Sequence, residues 1–436
     1  MQDSNNTREK IFTFIENSSD LAIELETELC KRPAISPESG GEGELDKCLF
    51  LESWLKAQGI NHLERYDAPD ARAKGGIRPS LVATIPGRND KDGSLASNGC
   101  GRFWIMSHID VVPPGETSLW RTDPWKLEIR EDGKREDGSS LGKHIIGRGV
   151  EDNQQGLTSS IIAALALVKQ GILPSRTVKL LFASDEENGS IYGVDWILKN
   201  NPGLFQKNDL VIIPDAGDST GSVIEIAEKN QAWVKFTTFG KQSHASTPRE
   251  GINACLAGAD LIVRLYYGLM EKFSKRDPLF DHEYSTFEPT KKEPNIPNIN
   301  TIPGEDVFYY DMRILPCYPV TEVIKEVNRI KAEVEVKYGV TVDCSIGQSN
   351  ESPPTSPDSP LVKFLAKNIE EVYGIKTRNI GIGGGTFAAF LRQAGIDSVV
   401  WSRIEHTAHQ PNEFALLENI LGDAKVMALM MASVST

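Results

Sequence analysis

Six acidic or histidine side chains follow short apolar runs of the chain or open a predicted helix. Apolar runs of this kind are typical of buried strands in parallel sheets. Because ligands bind where the carboxyl ends of parallel strands meet, we expect these side chains to lie together at one edge of a sheet. They are His108, Asp110, Asp152, Glu187, Asp215 and His409.

The chemistry that this set suggests is metal binding. Imidazole nitrogens and carboxylate oxygens suit Zn²⁺, and no thiolate belongs to the set. Two histidines and three carboxylates are enough for two ions if one carboxylate bridges them. Two ions about 3.5–4 Å apart can share a hydroxide and clamp a tetrahedral intermediate. We expect Asp110 to orient His108 by accepting its second ring N–H, and not to bind metal.

Each of these features has an ordinary explanation when it is taken alone. A single His-x-Asp sequence is common, and the acidic triplet at 185–187 is typical of a solvated loop or a helix N-terminus. Asp215 before Ala-Gly is typical of a turn. The occurrence of all of them at predicted strand ends in one chain favours the metal site.

The elements that must position these residues form an α/β pattern. Apolar strands alternate with helices, which indicates a mostly parallel sheet covered on both faces. Residues 8–59 are predicted to be helical, with a loop at 33–43. The predicted strands are 80–85, 103–106, 177–182, 210–213 and 398–401, and the predicted helices are 158–170, 193–200 and 361–373.

A block at 229–346 has a different order of elements. Its pattern is β-α-β-β-α-β, the order of a ferredoxin-like domain. The first helix of the block is predicted to begin with Thr247 as its N-cap. We therefore predict a discontinuous catalytic α/β domain of residues 1–228 and 347–436, interrupted by this smaller domain.

Composition limits the class of protein. A chain of 436 residues is long enough for two domains, and its net charge of −14 disfavours nucleic acid and anionic membranes as partners. No apolar run approaches the roughly 20 residues of a membrane span. The polar first ten residues do not resemble a signal peptide, and the six cysteines form no CxxC pair. We expect a cytoplasmic protein with reduced thiols.

Eight segments spread along the chain carry a resemblance to a known family. They are SHIDVVPPG (107–115), GRGVEDNQQG (147–156), ASDEENGS (183–190), PDAG (214–217), GKQSHASTPREGINA (240–254), NTIPGEDVFYYDMR (300–313), GGGTFAAF (383–390) and TAHQPNE (407–413). With these segments the chain resembles, nearly end to end, the dinuclear-zinc peptidase and deacylase family. That family includes acetylornithine deacetylase, succinyl-diaminopimelate desuccinylase, glutamate carboxypeptidase, aminoacylase, carnosinase-type dipeptidases and tripeptidase T.

The resemblance implies a metal-binding role for five residues. Asp152 would bridge two Zn²⁺ ions, although Co²⁺ or Mn²⁺ could occupy the same nitrogen and oxygen ligands. Glu187 and His409 would complete one metal site, and His108 and Asp215 would complete the other.

The resemblance also implies how the reaction would run. Glu186 would be the general base that takes a proton from the water bridging the two metals. The peptide bond between Asp152 and Asn153 is often cis in this family.

The inserted block resembles the lid and dimerisation domain of the family, which implies a homodimer. His244 would polarise the scissile carbonyl, often from the partner subunit; without the resemblance it would be read as a capping or core histidine. Arg313 and Asn300 would hold a substrate carboxylate, with a surface salt bridge and a turn residue as the ordinary alternatives. The glycine turn at Gly384 and Gly385, with Thr386, would bring backbone N–H groups near the substrate.

One position bears on the substrate. Deacylases and carboxypeptidases of the family usually carry Glu as the last acidic ligand, whereas dipeptidases and aminopeptidases usually carry Asp. Asp215 therefore favours a dipeptide or short peptide as substrate. An N-acyl amino acid deacylase, of the acetylornithine or succinyl-diaminopimelate type, is the alternative. A catalytically silent binding protein is disfavoured because no ligand and no base is missing.

Overall fold

A computed structural model describes residues 2–88, 101–134 and 138–433 of the chain. The chain divides into two compact units. Unit 1 comprises residues 1–226, 355–379 and 386–436, and unit 2 comprises residues 227–354 and 380–385.

The described residues form ten α-helices and seventeen strands. The helices are α1 Gln2–Glu16, α2 Ser19–Cys30, α3 Leu45–Gln58, α4 Gly156–Lys169, α5 Val194–Asn200, α6 Ala254–Lys272, α7 Val320–Tyr338, α8 Pro360–Tyr373, α9 Phe387–Gln393 and α10 Leu417–Ser433. The strands are β1 His62–Pro69, β2 Ile77–Ile85, β3 Phe103–His108, β4 Glu128–Arg130, β5 His144–Ile146, β6 Val178–Ala183, β7 Leu210–Asp218, β8 Val223–Glu228, β9 Asn230–Phe239, β10 Ser243–His244, β11 Thr286–Lys292, β12 Thr301–Ile302, β13 Glu305–Ile314, β14 Thr341–Asn350, β15 Arg378–Ile382, β16 Ser398–Arg403 and β17 Phe414–Leu416.

An eight-stranded sheet has the order β1-β2-β6-β3-β7-β16-β8-β15. Its centre is parallel, because β3 pairs in parallel with β6 and β7, and β16 pairs in parallel with β7. Antiparallel pairs flank this centre, between β1 and β2, β2 and β6, and β16 and β8. The predicted α/β class is confirmed, and the sheet is mixed at its sides. The polar strand β1 and the strand β8 were not among the predicted strands.

The helix α4 forms part of the core of unit 1. Its sequence is apolar on nearly all sides, and a helix of this kind is stable only when it is buried. Residues 156–167 of α4 are buried, and the helix packs against α10 and the central strands β3, β6 and β7. The turn that precedes α4, Val150–Gln155, carries Asp152 and is therefore attached to a rigid element.

Unit 2 contains a four-stranded antiparallel sheet with the order β11-β13-β9-β14. Side chains alternate between the two faces of a strand, and the even-numbered residues of β9 are the buried ones. Phe236 on β9 stacks on Phe308 of β13 within a core to which α6 and α7 contribute. This arrangement is the ferredoxin-like order expected for the inserted block.

The start of α6 differs from the prediction. Thr247 precedes only a short turn, Pro248–Glu250, and α6 begins later with Asn253 as its N-cap. Ile252 exchanges two backbone hydrogen bonds with Lys241, at 2.8 and 2.9 Å, and this extended pairing keeps the segment out of the helix. The Asn253 side chain accepts a hydrogen bond from the Leu256 N–H at 3.0 Å.

The corrected helix start predicts which cap stabilises unit 2. Asn253→Ala removes the acceptor for an N–H group that has no partner inside the helix, so we expect the free energy of unfolding to fall by about 1 kcal/mol. Thr247→Ala, the matched control, should change it by less than about 0.5 kcal/mol. Chemical denaturation of the two variants measures this difference. The same loss in both variants would contradict the assignment of the cap.

Two further features that were considered in the sequence are membrane-spanning segments and the cysteines. Among the helices described, none combines the length and the apolar character that crossing a membrane requires. Cys30, Cys48, Cys255, Cys317 and Cys344 are free cysteines. Cys100 lies outside the described residues.

Candidate metal centre

The carboxyl ends of neighbouring strands bring the predicted ligands together in unit 1. His108 is the last residue of β3 and pairs in register with Ala183 at the end of β6, two residues before the acidic triplet. Asp215 lies in β7 on the other side of β3. A ligand atom of His108, one of Asp152 and one of Glu187 all lie within 4.8 Å of one another.

Asp152 lies between the two histidines. Its Oδ1 is 2.8 Å from Nε2 of His108, and its Oδ2 is 3.0 Å from Nε2 of His409. Each oxygen of this carboxylate therefore faces a different imidazole. The peptide bond between Asp152 and Asn153 is cis, as the family resemblance implies.

Two more carboxylates complete the cluster. Oδ1 of Asp215 lies 3.5 Å from Nε2 of His108, and Oε2 of Glu187 lies 3.2 Å from Nε2 of His409. Asn153 donates to the same oxygen of Asp215 at 2.7 Å and to the carbonyl oxygen of Pro214 at 2.6 Å. Asn153 was not among the predicted site residues, and its residue type alone carries no signal that it bonds to a predicted ligand.

Asp110 requires a correction. Its carboxylate was predicted to accept the second ring N–H of His108, but Nδ1 of His108 lies 3.0 Å from the backbone carbonyl oxygen of Asp110 and 3.6 Å from its carboxylate. The carboxylate instead accepts the backbone N–H groups of Glu186 and Glu187, each at 3.1 Å. Asp110 thus orients His108 through its backbone and the Glu186–Glu187 turn through its side chain.

Asp185, the first residue of the acidic triplet, supports the loop. It has a left-handed backbone with φ of 66° and is buried. Its carboxylate accepts hydrogen bonds from the Tyr192 N–H at 2.8 Å and from Nη2 of the buried Arg78 at 3.0 Å. The triplet was singled out in the sequence, but the sequence does not show that its first member bonds to Tyr192 and Arg78.

The cluster concentrates negative charge. Burial opposes protonation of His108, but hydrogen bonds with Asp152 and Asp215 hold its pKa well above its ordinary value. Hydrogen bonds with Asp152 and Glu187 raise the pKa of His409 to about 10. Burial, followed by the nearby Asp215 carboxylate, raises the pKa of Glu186 well above its ordinary value. Three carboxylates, those of Asp152, Asp215 and Glu187, lie within 3.5 Å of the two imidazoles, and divalent cations bound between them would neutralise this concentrated negative charge.

The other predicted site residues, apart from Thr386, belong to unit 2. His244 on β10 pairs with Thr301 on β12, and the Ala245 N–H donates to the carbonyl oxygen of Asn300 at 2.9 Å. His244 is exposed, and its Nδ1 accepts from the Ser246 N–H at 3.2 Å. His244 thus lies on β10, and Asn300 immediately precedes the paired strand β12.

Arg313 forms the salt bridge that was its ordinary alternative. Its Nε and Nη2 donate to the two carboxylate oxygens of Asp311 at 2.7 and 3.0 Å, and its Nη1 donates to the carbonyl oxygen of Gly383 at 3.0 Å. The guanidinium is thus held next to the glycine turn that carries Gly384 and Gly385.

Thr386 lies in unit 1, at the start of α9. It is the N-cap of this helix, and its side-chain oxygen accepts from the Ala388 N–H at 3.2 Å. The capping bond fixes the hydroxyl group at the helix start.

Comparison with known proteins identifies the family. The sequence profile described as peptidase family M20/M25/M40 matches residues 104–433, about three quarters of the chain. The chain belongs to this family. M20 proteins are metal-dependent hydrolases of amide bonds, and the chain is an enzyme of this class.

Relatives of the M20 family cover almost the whole chain. An uncharacterised metallohydrolase of Methanocaldococcus jannaschii is 37% identical over 423 residues, which are 93% of this chain and 97% of the relative. A succinyl-diaminopimelate desuccinylase of Cereibacter sphaeroides is 27% identical over 396 residues, 90% of this chain and 93% of the relative. The crystal structure of aminopeptidase PepT from Bacillus cereus superposes with a TM-score of 0.74 at 18% identity, covering 96% of this chain and 99% of that one. This structural similarity shows that the chain and PepT share a fold.

Proposed function

We propose that the chain is a dinuclear-metal hydrolase that cleaves the amide bond of a small carboxylate-bearing substrate, namely a dipeptide or short peptide. The observation that carries the proposal is the position of Asp152, whose two oxygens face His108 and His409 at 2.8 and 3.0 Å. A carboxylate with one oxygen toward each of two different ligands is arranged to bridge two cations.

The side chains present fit two such cations. His108, Asp215 and one oxygen of Asp152 would hold one ion, and His409, Glu187 and the other oxygen would hold the second. All donor atoms are nitrogen or oxygen, which suits Zn²⁺, with Co²⁺ and Mn²⁺ as alternatives. When bound, the ions would polarise the scissile carbonyl and make the attacking water more acidic.

We assign the proton transfers to Glu186. Its carboxylate takes a proton from the attacking water while the water oxygen forms a bond to the carbonyl carbon. The same carboxyl then gives the proton to the amide nitrogen as the C–N bond breaks, so that a carboxylate and an amine leave the site. Asp110 supports this role because it holds the backbone N–H of Glu186 at 3.1 Å.

His244 is proposed to stabilise the negative charge that develops on the carbonyl oxygen. Its Nδ1 accepts a backbone N–H, so the neutral ring carries its proton on Nε2 and can donate from that side. Arg313 and Asn300, with the turn at Gly384, Gly385 and Thr386, are proposed to bind the substrate carboxylate and backbone. We propose that His244 acts within a homodimer formed through unit 2.

Asp215 supports a peptide substrate, since Asp at this position is typical of the dipeptidases and aminopeptidases of the family. An N-acyl amino acid deacylase is the second candidate, and the 27% identity to a desuccinylase over 90% of the chain favours it. The free cysteines support a reducing, cytoplasmic location.

A substrate panel tests the proposed function. Protein loaded with Zn²⁺, Co²⁺ or Mn²⁺ is assayed on dipeptides and on N-acetyl and N-succinyl amino acids that share the same C-terminal residue. We expect kcat/KM for the best dipeptide to exceed that for the best acyl substrate by about tenfold or more, a difference of about 1.4 kcal/mol in the barrier. The reverse order would assign the enzyme to the deacylases. No turnover of either class by protein with two bound metals would show that the substrate class is wrong.

A further inference from the structure

Two buried carboxylates lie beside the predicted ligands without belonging to the ligand set. Glu151 immediately precedes Asp152, and Glu413 follows His409 by four residues. Their exposed fractions are 4% and 0%. A buried carboxylate is costly unless hydrogen-bond donors surround it, so the partners of each carboxylate indicate its task.

Glu413 binds the turn that carries Asp152. One of its oxygens accepts the backbone N–H groups of Glu151 and Asp152 at 2.9 and 3.0 Å. The other accepts the Gly149 N–H at 3.0 Å and Nη1 of the buried Arg148 at 2.5 Å. A residue of the His409 loop therefore holds the backbone on both sides of Glu151.

Glu151 binds the loop that carries His409. It accepts the backbone N–H groups of Glu405 at 2.6 Å and of Ala408 at 2.8 Å, and the Thr407 hydroxyl at 3.0 Å. The backbone N–H of Thr407 donates to it as well. A residue of the Asp152 turn therefore holds Glu405, Thr407 and Ala408, in the segment that leads into His409.

We propose that Glu151 and Glu413 form a reciprocal carboxylate clamp that sets the position of Asp152 relative to His409, and that both are positioning residues for the metal centre. This proposal rests on the proposed dinuclear function. His409 needs such support because its side chain is 55% exposed and its backbone has a left-handed φ of 62°. Charge-assisted bonds to backbone N–H groups order both segments before metal binds, which reduces the entropy lost on binding.

Replacing either carboxylate by an amide should weaken metal binding. Gln offers one acceptor oxygen and places an NH₂ group against N–H donors, so Glu413→Gln loses the bonds made by one oxygen and creates a clash of donors. We expect Glu413→Gln and Glu151→Gln each to lower the affinity for at least one ion by about 10–100-fold. The loss of metal affinity in the double variant should be smaller than the product of the two single losses, because both carboxylates hold the Asp152 turn against the His409 loop.

Glu225→Gln is the matched control. Glu225 is as buried as the two clamp carboxylates and pairs with the buried Arg392 at 3.0 Å. Arg392 lies on α9, a helix that carries no predicted metal ligand. Glu225→Gln should lower the stability of the protein, but it should change the metal affinity by less than about threefold.

The experiment titrates each metal-free variant with Co²⁺ and Zn²⁺ against a competing chelator, records the Co²⁺ absorption spectrum, and measures thermal unfolding without metal. Weaker binding and an altered Co²⁺ spectrum in the two clamp variants, with wild-type values for Glu225→Gln, support the clamp. Wild-type affinity in the clamp variants, or equal loss in the control, would overturn it. If a Gln variant does not fold, the corresponding Asp variant, which shortens the side chain and keeps the charge, takes its place with the same expected loss.

The wild-type titration separates this proposal from the proposed function. Two bound equivalents in the wild type with unaffected clamp variants would contradict the clamp alone. A wild type that binds no metal would overturn the dinuclear function and the clamp together.

Discussion

Glu186→Gln should lower kcat by about 10²–10⁴-fold while two metal ions remain bound. The substitution removes the group that accepts the proton of the attacking water, and general-base catalysis contributes an effect of this size. Gln keeps the shape of Glu, and the Glu186 N–H bond to Asp110 at 3.1 Å does not depend on the side chain. Steady-state kinetics and metal analysis of the same preparation measure both quantities.

Glu187→Gln is the counterpart of this variant. Glu187 Oε2 lies 3.2 Å from Nε2 of His409, so its substitution should lower metal content as well as activity. If Glu186→Gln lost metal and Glu187→Gln kept it, the base and the ligand would be interchanged. A wild-type kcat for Glu186→Gln would show that Glu186 is not the general base.

Asp152→Ala should lose at least one metal ion and nearly all activity. Its two oxygens face His108 and His409, so a single substitution removes a ligand from both predicted ions. The remaining carboxylates cannot replace it because Asp215 and Glu187 each approach a different histidine. Metal content after dialysis, measured by mass spectrometry, gives the result.

Asp209→Asn is the control for this effect. Asp209 is a buried carboxylate that pairs with Arg102 at 2.9 Å, but it precedes β7 at the amino end of the parallel strands. Its substitution should affect stability and leave two ions bound. Two ions retained by Asp152→Ala would contradict a shared ligand.

The sequence predicted the fold well where burial alone determines the element. The apolar strands β3, β6 and β7 and the apolar helix α4 have continuous hydrophobic runs, and their predicted positions agree with the structure within a few residues. The strand β1 was missed because its sequence, HLERYDAP, is mostly polar and only partly buried. Its place comes from pairing with β2, a contact that the local sequence does not encode.

The predicted ligands could be found from the sequence because each follows a recognisable strand or opens a recognisable helix. The supporting groups could not. Whether a carboxylate such as that of Asp110 accepts a ring N–H or two backbone N–H groups depends on loop geometry. The start of α6 was misplaced for the same reason, since pairing of Ile252 with Lys241 overrides a local Thr-Pro-x-Glu signal.

The central claim is that two metal ions share Asp152. Anomalous diffraction at the zinc edge, from crystals of protein equilibrated with Zn²⁺, tests it most directly. We expect two peaks, one beside each oxygen of Asp152, with His108 and Asp215 near the first and His409 and Glu187 near the second. A single peak, or peaks that do not contact Asp152, would contradict the dinuclear centre.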